Sequence, residues 1–552
     1  MQKEEFFMRK RNVSRILVLF LVCVMMSGTI VGCGGTSTSD TGRDEYEAPA
    51  AAEEAAEPDY SNNKYSENVA EPYPNNEEYT STEESGYKSV DEEPLSTFSA
   101  DVDTASYTNI RRMINDGYRM DDIPQDAVRI EEMINYFDYD YDEPKKNEPF
   151  STTVEIGDCP WNEESQLMLV GIQTEELDFE DTAPSNLVFL LDVSGSMYDD
   201  DKLPLLQKAF TMLAANLTSK DRVSIVTYAG SDEVLLEGVE GSEYDLITDT
   251  LNELEAGGST DGSAGIITAY EIAEEYFIEG GNNRVILATD GDLNVGLTSE
   301  EELEDLISEK KESGVFLSVL GFGTGNIKDN KMETLADKGN GNYAYIDSTK
   351  EAKKVLVKEL GSTLVTVAKD VKFQVEFNPA VVREYRLVGY DNRVMAAEDF
   401  ADDKKDAGEI GAGHSVTALY EIITTDSNKN DKKRSIDLKY QDEDYEYGTD
   451  EEETDSIDDE WLTISIRYKE LEGTESELLE YPVTGGKYTD ENSDNWLFAS
   501  AVAEFGMLLK DSENMGDSSF KQIEKLLDKV DYDGDEYKEE FEDLVMTMKK
   551  RD

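Results

Sequence analysis

From Ser185 onward the chain alternates between short apolar runs and stretches of helical period. The runs "NLVFLLD", "RVSIVTYA", "NRVILATD" and "VFLSVLGFG" carry few polar interruptions, as strands covered by helices on both faces must. Between them Leu206, Ala209, Phe210, Leu213 and Leu217, then Ile266, Ala269, Tyr270, Ala273 and Phe277, recur at the spacing of amphipathic helices. Strand and helix repeat over residues 185–365. This stretch is therefore predicted to be an α/β domain, a doubly wound and mostly parallel sheet whose binding loops lie at the carboxyl ends of its strands.

Period two dominates on either side. "STFSADVD", "STTVEIGDC" and "QLMLVGIQT" fall within residues 96–184, and "VKFQVEFNP", "HSVTALYEII", "RSIDLKY" and "WLTISIRYK" within residues 366–485. They predict antiparallel strands before and after the α/β domain, which is then inserted in or flanked by a β-sandwich. The first set is partly exposed by its pattern. Residues 96–184 also predict two helices. One, capped by Thr104 or Ser106, carries Ile110, Met113 and Ile114; the other, after Pro124, has an apolar side of Val128, Met133 and Phe137 and an acidic side of Glu131 and Glu132. The acidic interval 442–460 reads as a projecting loop. A C-terminal helical segment, residues 486–552, closes the pattern with Val502, Phe505, Leu508 and Leu509 on one side, then helices over 520–530 and 537–548.

The N-terminus follows different rules. Lys3, Arg9, Lys10, Arg11 and Arg15 precede the apolar run "ILVLFLVCVMM", which ends in the small residues "SGTIVGCGG". That is the form of an export signal. The stretch Ile30, Val31, Gly32, Cys33 resembles the lipobox of bacterial lipoproteins, a resemblance that implies cleavage after residue 32 and acylation of Cys33. Residues 33–95 are rich in Glu, Asp, Ser, Pro and Ala and read as an acidic disordered tether, with Glu53, Glu54, Glu57, Glu77 and Glu78 among its acids. A coil of that length spans roughly 40 Å. Tyr46, Tyr60, Tyr65, Tyr73, Tyr79 and Tyr87 are read as parts of a solvated spacer.

Charge narrows the function. The 552 residues hold 51 Lys plus Arg against 124 Asp plus Glu, a net −73, and nucleic acid is excluded as a default partner. Without residues 1–32 the count is 46 basic against 122 acidic residues, −76. Cys159 is then the one thiol left free, so no intramolecular disulfide is expected.

Candidate chemistry sits directly after the first parallel run. Asp192, Val193, Ser194, Gly195, Ser196 offer one carboxylate and two hydroxyl oxygens around a turn that Gly195 lets close, a donor set suited to a hard cation. The stretch resembles the Asp-x-Ser-x-Ser loop of von Willebrand factor type A domains. The resemblance implies a second loop in "AGGSTDG", with Thr260, and a third in "VILATDGD", with Asp290. It further implies a metal-ion-dependent adhesion site for Mg²⁺ or Mn²⁺, with Ca²⁺ as a further candidate, where a partner protein's Asp or Glu completes the coordination. Asp192 and Asp290 formally balance the charge of such an ion. The segments "STFSADVDTASYTNIRR", "AVRIEEMINYFDYDY", "DCPWN", "GYDNRVMAAEDFADDKKDAGEIGAGHSVTALYE" and "FASAVAEFGMLLKDS" resemble YfbK-like bacterial lipoproteins over about residues 96–548.

Other signals carry less. "DYDGDEYKEEFE" has calcium-loop spacing, but Glu536 stands where an EF-hand turn needs Gly, and it reads as an acidic helix entry. Asp199, Asp200 and Asp201 read as a solvated turn. His414 is the only histidine, which removes His-based triads; it and Cys159 are read as structural. The expectation is a non-enzymatic, lipid-anchored module on the extracytoplasmic side of a bacterial membrane, gripping an envelope or extracellular protein through the cation. The alternatives are an envelope scaffold in which the cation only stabilises the fold, and a metal-assisted hydrolase, for which no base is evident.

Overall fold

The computed structural model describes residues 76–100, 102–145, 148–176, 183–258, 262–291, 300–311, 313–359, 365–405, 407–425, 460–471, 473 and 475–552. The export signal, Cys33, the first part of the tether, Thr260, "RSIDLKY" and nearly all of the 442–460 interval lie outside them. Among the described residues no helix is long and apolar enough to cross a membrane.

The N-terminal part contributes β1 (Lys88–Ser89), β2 (Leu95–Ser99), α1 (Ala105–Asn115), α2 (Ile130–Asn135), β3 (Phe150–Asp158) and β4 (Gln166–Thr174). Order begins earlier than the tether reading predicts. Residues 76–95 join the fold: Tyr79 donates to Glu77, and Tyr87 donates to the buried Glu421, which also accepts from Trp161 and Arg386. Tyr87 is an anchor rather than a spacer element because its hydroxyl finds a carboxylate far along the chain, and Tyr79 packs against the helical core. Thr104 holds the N-cap position of α1 without a side-chain cap bond, while Ser106 donates to the Ala127 carbonyl instead.

The α/β domain follows with β5 (Ser185–Asp192), α3 (Leu203–Ala214), β6 (Arg222–Tyr228), β7 (Asp232–Glu240), α4 (Tyr244–Asn252), α5 (Gly262–Glu275), β8 (Asn282–Thr289), α6 (Glu300–Lys311), β9 (Phe316–Phe322), α7 (Asp329–Lys338), β10 (Tyr343–Ile346) and α8 (Thr349–Lys353). Its sheet order is β10-β9-β8-β5-β6-β7, parallel throughout except for the edge strand β7. The unbroken apolar runs are explained by burial on both faces. Leu187, Phe189 and Leu191 pack with Leu206, Phe210 and Leu213 of α3, while Val188 and Leu190 pack with Ile266, Tyr270 and Ala273 of α5. Phe277 lies past the end of α5 and is exposed.

The C-terminal part adds β11 (Thr366–Phe377), β12 (Val382–Val388), β13 (Ile410–Gly411), β14 (Ser415–Thr424), β15 (Glu460–Lys469), β16 (Glu477–Thr484), α9 (Asp494–Lys510), α10 (Phe520–Leu527) and α11 (Glu536–Arg551). Two antiparallel sheets, β1-β12-β14-β4-β3 and β13-β11-β15-β16 with β2 on β11, share one apolar core. Each draws strands from before and after the α/β domain. Of the two strands read as partly exposed, β3 is so, with Ser151, Thr152, Thr153 and Glu155 half-buried, whereas β4 is covered on both faces. Met168, Val170 and Ile172 face the other sheet, and Leu167 and Leu169 face a helical core built from α1, α2, α9, α10 and α11. α9 is buried nearly all round, beyond the single apolar side its sequence period suggests.

An ionic seam joins these parts. Arg111 of α1 donates to Asp347 at 2.6 Å, Glu351 at 2.7 Å and Glu540 at 3.4 Å. Arg129 pairs with Glu132 and with Asp329 at 2.5 Å, and Arg393 reaches Asp103, Glu333 and Asp337. The acidic side predicted for α2 is therefore turned inward: Glu131 and Glu132 are buried, and Glu132 also accepts from the Ser106 amide at 2.9 Å.

Candidate functional site

The carboxyl ends of β5 and β8 lie side by side, where the sheet's winding reverses direction, which is where open α/β sheets hold their ligands. Asp192 is the last residue of β5 and is fully buried. Its Oδ1 accepts from the Ser194 amide at 2.9 Å, and its Oδ2 from the Thr289 hydroxyl at 3.2 Å. Burial, with the negative charge of Asp290 nearby, pushes the Asp192 carboxyl up to about 6 against the hydrogen bonds from Ser194. The chain then turns through residues 195–198, anchored by the buried Met197, so that Ser194 Oγ and Ser196 Oγ stand 2.9 Å apart.

The glycine-rich turn docks on this loop. Gly195 donates to the Gly258 carbonyl at 3.2 Å and Gly257 to the Val193 carbonyl at 2.8 Å. A Cβ on Gly195 would lie 3.3 Å from that same carbonyl, a tight contact that the glycine relieves. Asp290, directly after β8, is also buried. Asp192, Ser194, Ser196 and Asp290 are thus brought to one end of the sheet, and the turn leading to Thr260 touches the first loop. Carboxylate and hydroxyl oxygens suit Mg²⁺ or Mn²⁺. Among the described residues no group of three or more His, Cys, Asp or Glu side chains is arranged for a metal; two of the donors here are serines.

One contact was not foreseen. Lys202, at the start of α3, is buried and its Nζ lies 2.9 Å from Asp290 Oδ2. The local signal was a lysine between an acidic turn and the first apolar residue of a helix, which in sequence looks solvated. Asp199 and Asp200 before it are exposed, as expected, and Tyr198 is 80% exposed on the same turn.

A second unforeseen element is the loop after β9. Gly291 has φ +93°, and a Cβ there would come within 2.7 Å of the Lys328 amide nitrogen. The loop is braced from outside: Asn76 donates to Gly325 at 3.0 Å, Glu78 to Ile327 at 2.9 Å, and Gly325 to the Glu77 carboxylate at 3.0 Å. Burial raises the Glu77 carboxyl, but Arg112 and the Gly325 amide outweigh it and hold it low.

The residues set aside in the sequence behave as structure. Burial pushes the Cys159 thiol up to about 12, away from nucleophilic chemistry at neutral pH. Burial first, then Lys354, lowers His414 to about 4, and its backbone carbonyl accepts from the Thr174 amide at 3.1 Å. Asp535 caps α11 through the amides of Tyr537 and Lys538, the helix entry expected of that acidic stretch.

Comparison with known proteins agrees with this architecture. Residues 186–359 match the von Willebrand factor type A domain, 362–550 the family described as "Uncharacterized protein YfbK, C-terminal", and 73–169 a family described as "von Willebrand factor". The Uncharacterized protein YfbK of Escherichia coli (strain K12) is 42% identical over 446 residues, covering 79% of this chain and 75% of that protein. Human inter-alpha-trypsin inhibitor heavy chain H3 is 25% identical over 166 residues, 29% of this chain and 18% of its own length. Among solved structures, a von Willebrand factor type A protein from Catenulispora acidiphila is similar with a TM-score of 0.39 at 14% identity, covering 64% of this chain and 79% of that one. This identity is consistent with a non-catalytic adhesion or scaffolding module rather than an enzyme. The chain belongs to the YfbK family of proteins with a von Willebrand factor type A domain.

Proposed function

We propose that the protein is an envelope adhesion or assembly module that binds a protein ligand through a divalent cation held by Asp192, Ser194, Ser196, Thr260 and Asp290. The observation that carries this reading is the meeting of Asp192, the Ser194 and Ser196 hydroxyls and Asp290 at the winding reversal of the sheet. Mg²⁺ or Mn²⁺ is the cation that this oxygen set favours. The ligand offers an Asp or Glu to the ion from an otherwise basic surface, because the −73 charge of the chain opposes an acidic one at long range. Acylation at Cys33 holds the module on the extracytoplasmic side of the membrane, a reading that rests on the sequence pattern of residues 1–33.

The test is crosslinked capture from native envelopes in magnesium and in EDTA, with Asp192→Ala as the control. The expected outcome is a partner retained in magnesium, and lost both in EDTA and with Asp192→Ala while far-UV circular dichroism stays native. Capture indifferent to EDTA and to the substitution would reject the ion bridge. A second reading, a scaffold in which the cation only stabilises the loops, is favoured by the docking of the Gly257–Gly258 turn on the first loop, since an ion shared by the two would hold them together. It predicts a metal-dependent melting temperature without metal-dependent capture.

A further inference from the structure

The Lys202 side chain occupies a built slot rather than a surface position. Its amide donates to the Asp199 carbonyl at 3.0 Å, which fixes where the side chain starts. Its stem then runs over Gly323, where φ is +78° and an added Cβ would lie 2.3 Å from Lys202 Cγ. The Gly323 carbonyl under the stem is itself held by the Tyr345 hydroxyl at 2.8 Å. At the far end the ammonium reaches Asp290 Oδ2 at 2.9 Å with the lysine only 6% exposed. Three separate parts of the chain, the first loop, the β8 end and the turn after β9, therefore converge on one lysine.

The charges at this end of the sheet follow from that convergence. Asp192 and Asp290 contribute two negative charges and Lys202 one positive charge, so a divalent ion joining all three leaves a net positive site instead of a neutral one. Like charges a few ångströms apart, shielded from water, repel strongly. A lysine suits this role because its ammonium is a compact charge on a flexible stem that can withdraw, unlike the planar guanidinium that locks a carboxylate pair.

We propose that Lys202 is a positioning residue of the cation site, an internal counter-cation that holds Asp290 in place and competes with a divalent ion for its carboxylate, so that the bare ion binds weakly. The inference rests on the metal reading above and adds to it what sets the affinity. It is tested by calorimetric titration of Mn²⁺ into the purified full chain, into Lys202→Met and Lys202→Gln, and into Asp192→Ala, at one ionic strength. Loss of the positive charge is expected to tighten Mn²⁺ binding about ten-fold or more in Lys202→Met and in the same direction in Lys202→Gln. Mn²⁺ should then raise the melting temperature of both variants by more than it raises that of the parent. A lysine with a merely structural role would lower the melting temperature of the variants and leave Mn²⁺ affinity where it was. Equal or weaker Mn²⁺ binding in a natively folded Lys202 variant overturns the counter-cation and leaves the metal reading standing if the parent binds and Asp192→Ala does not. Absence of Mn²⁺ binding in the parent and in both Lys202 variants overturns both.

Discussion

At the seam between the helices and the α/β sheet, Arg111 and Arg129 each meet three carboxylates, whereas at the ends of β5 and β8 it is a lysine that meets Asp290. Both clusters are buried and both concentrate acid, yet the cations differ in kind. A guanidinium presents several donors in a fixed plane and satisfies carboxylates from separate parts of the chain at once, which suits a joint that must not move. An ammonium on a flexible stem makes a contact that can be exchanged. The difference teaches that a very acidic chain can use its few basic residues in two ways, as permanent locks between its parts and as a replaceable partner at a rim.

The largest effect is expected from breaking the lock. Arg129→Met leaves Glu132 and Asp329 buried beside each other without their cation, and should lower unfolding free energy by about 3–5 kcal/mol in urea denaturation. A loss below about 1 kcal/mol would mean that the seam is not a lock.

A buried acid outside both clusters sharpens the contrast. Glu504 in α9 accepts from the Ser519 amide at 2.9 Å, while its other oxygen is buried without a hydrogen-bond partner, and burial raises its carboxyl to about 7. The folded chain therefore keeps a proton that the unfolded chain releases. Stability from this group is complete below about pH 4.5 and is lost as pH rises through about 7. Glu504→Gln should remove that dependence, so that the parent loses about 3 kcal/mol relative to the variant between those limits. Parallel stability profiles for the two chains would show that Glu504 is not held protonated.

The smallest effect belongs to an acid at the surface. Asp535→Ala removes the cap of α11 and should cost about 1 kcal/mol by thermal or urea denaturation, with no cation dependence. A larger loss that depends on calcium would move this stretch from helix entry to ion site.

Much of this could be read beforehand. The apolar runs of β5, β6, β8 and β9 and the Asp192–Ser196 turn are local patterns, and the sheet places Asp192 and Asp290 at neighbouring strand ends as those patterns imply. The edge strand β7 and the short β10 were not legible, the first because its exposed face breaks the apolar run and the second because it has only four residues. Glu131 and Glu132 look like a solvated helix face until Arg129 is seen to close on Glu132 and α9 and the sheet to cover the helix. Glu77 and Tyr87 look like spacer until Arg112 and Glu421 are found beside them.

By itself the sequence determined the order of strands and helices, the acidic balance, and the residue types offered to a cation, because periodicity, composition and a five-residue turn are properties of neighbouring positions. Tertiary structure alone decided which charges are neutralised and by what: Lys202 with Asp290, 88 residues apart, and Arg111 with Glu351, 240 apart. The physical reason is that an ion pair depends on distance and on the exclusion of water, and neither exists until separate stretches of chain have packed together.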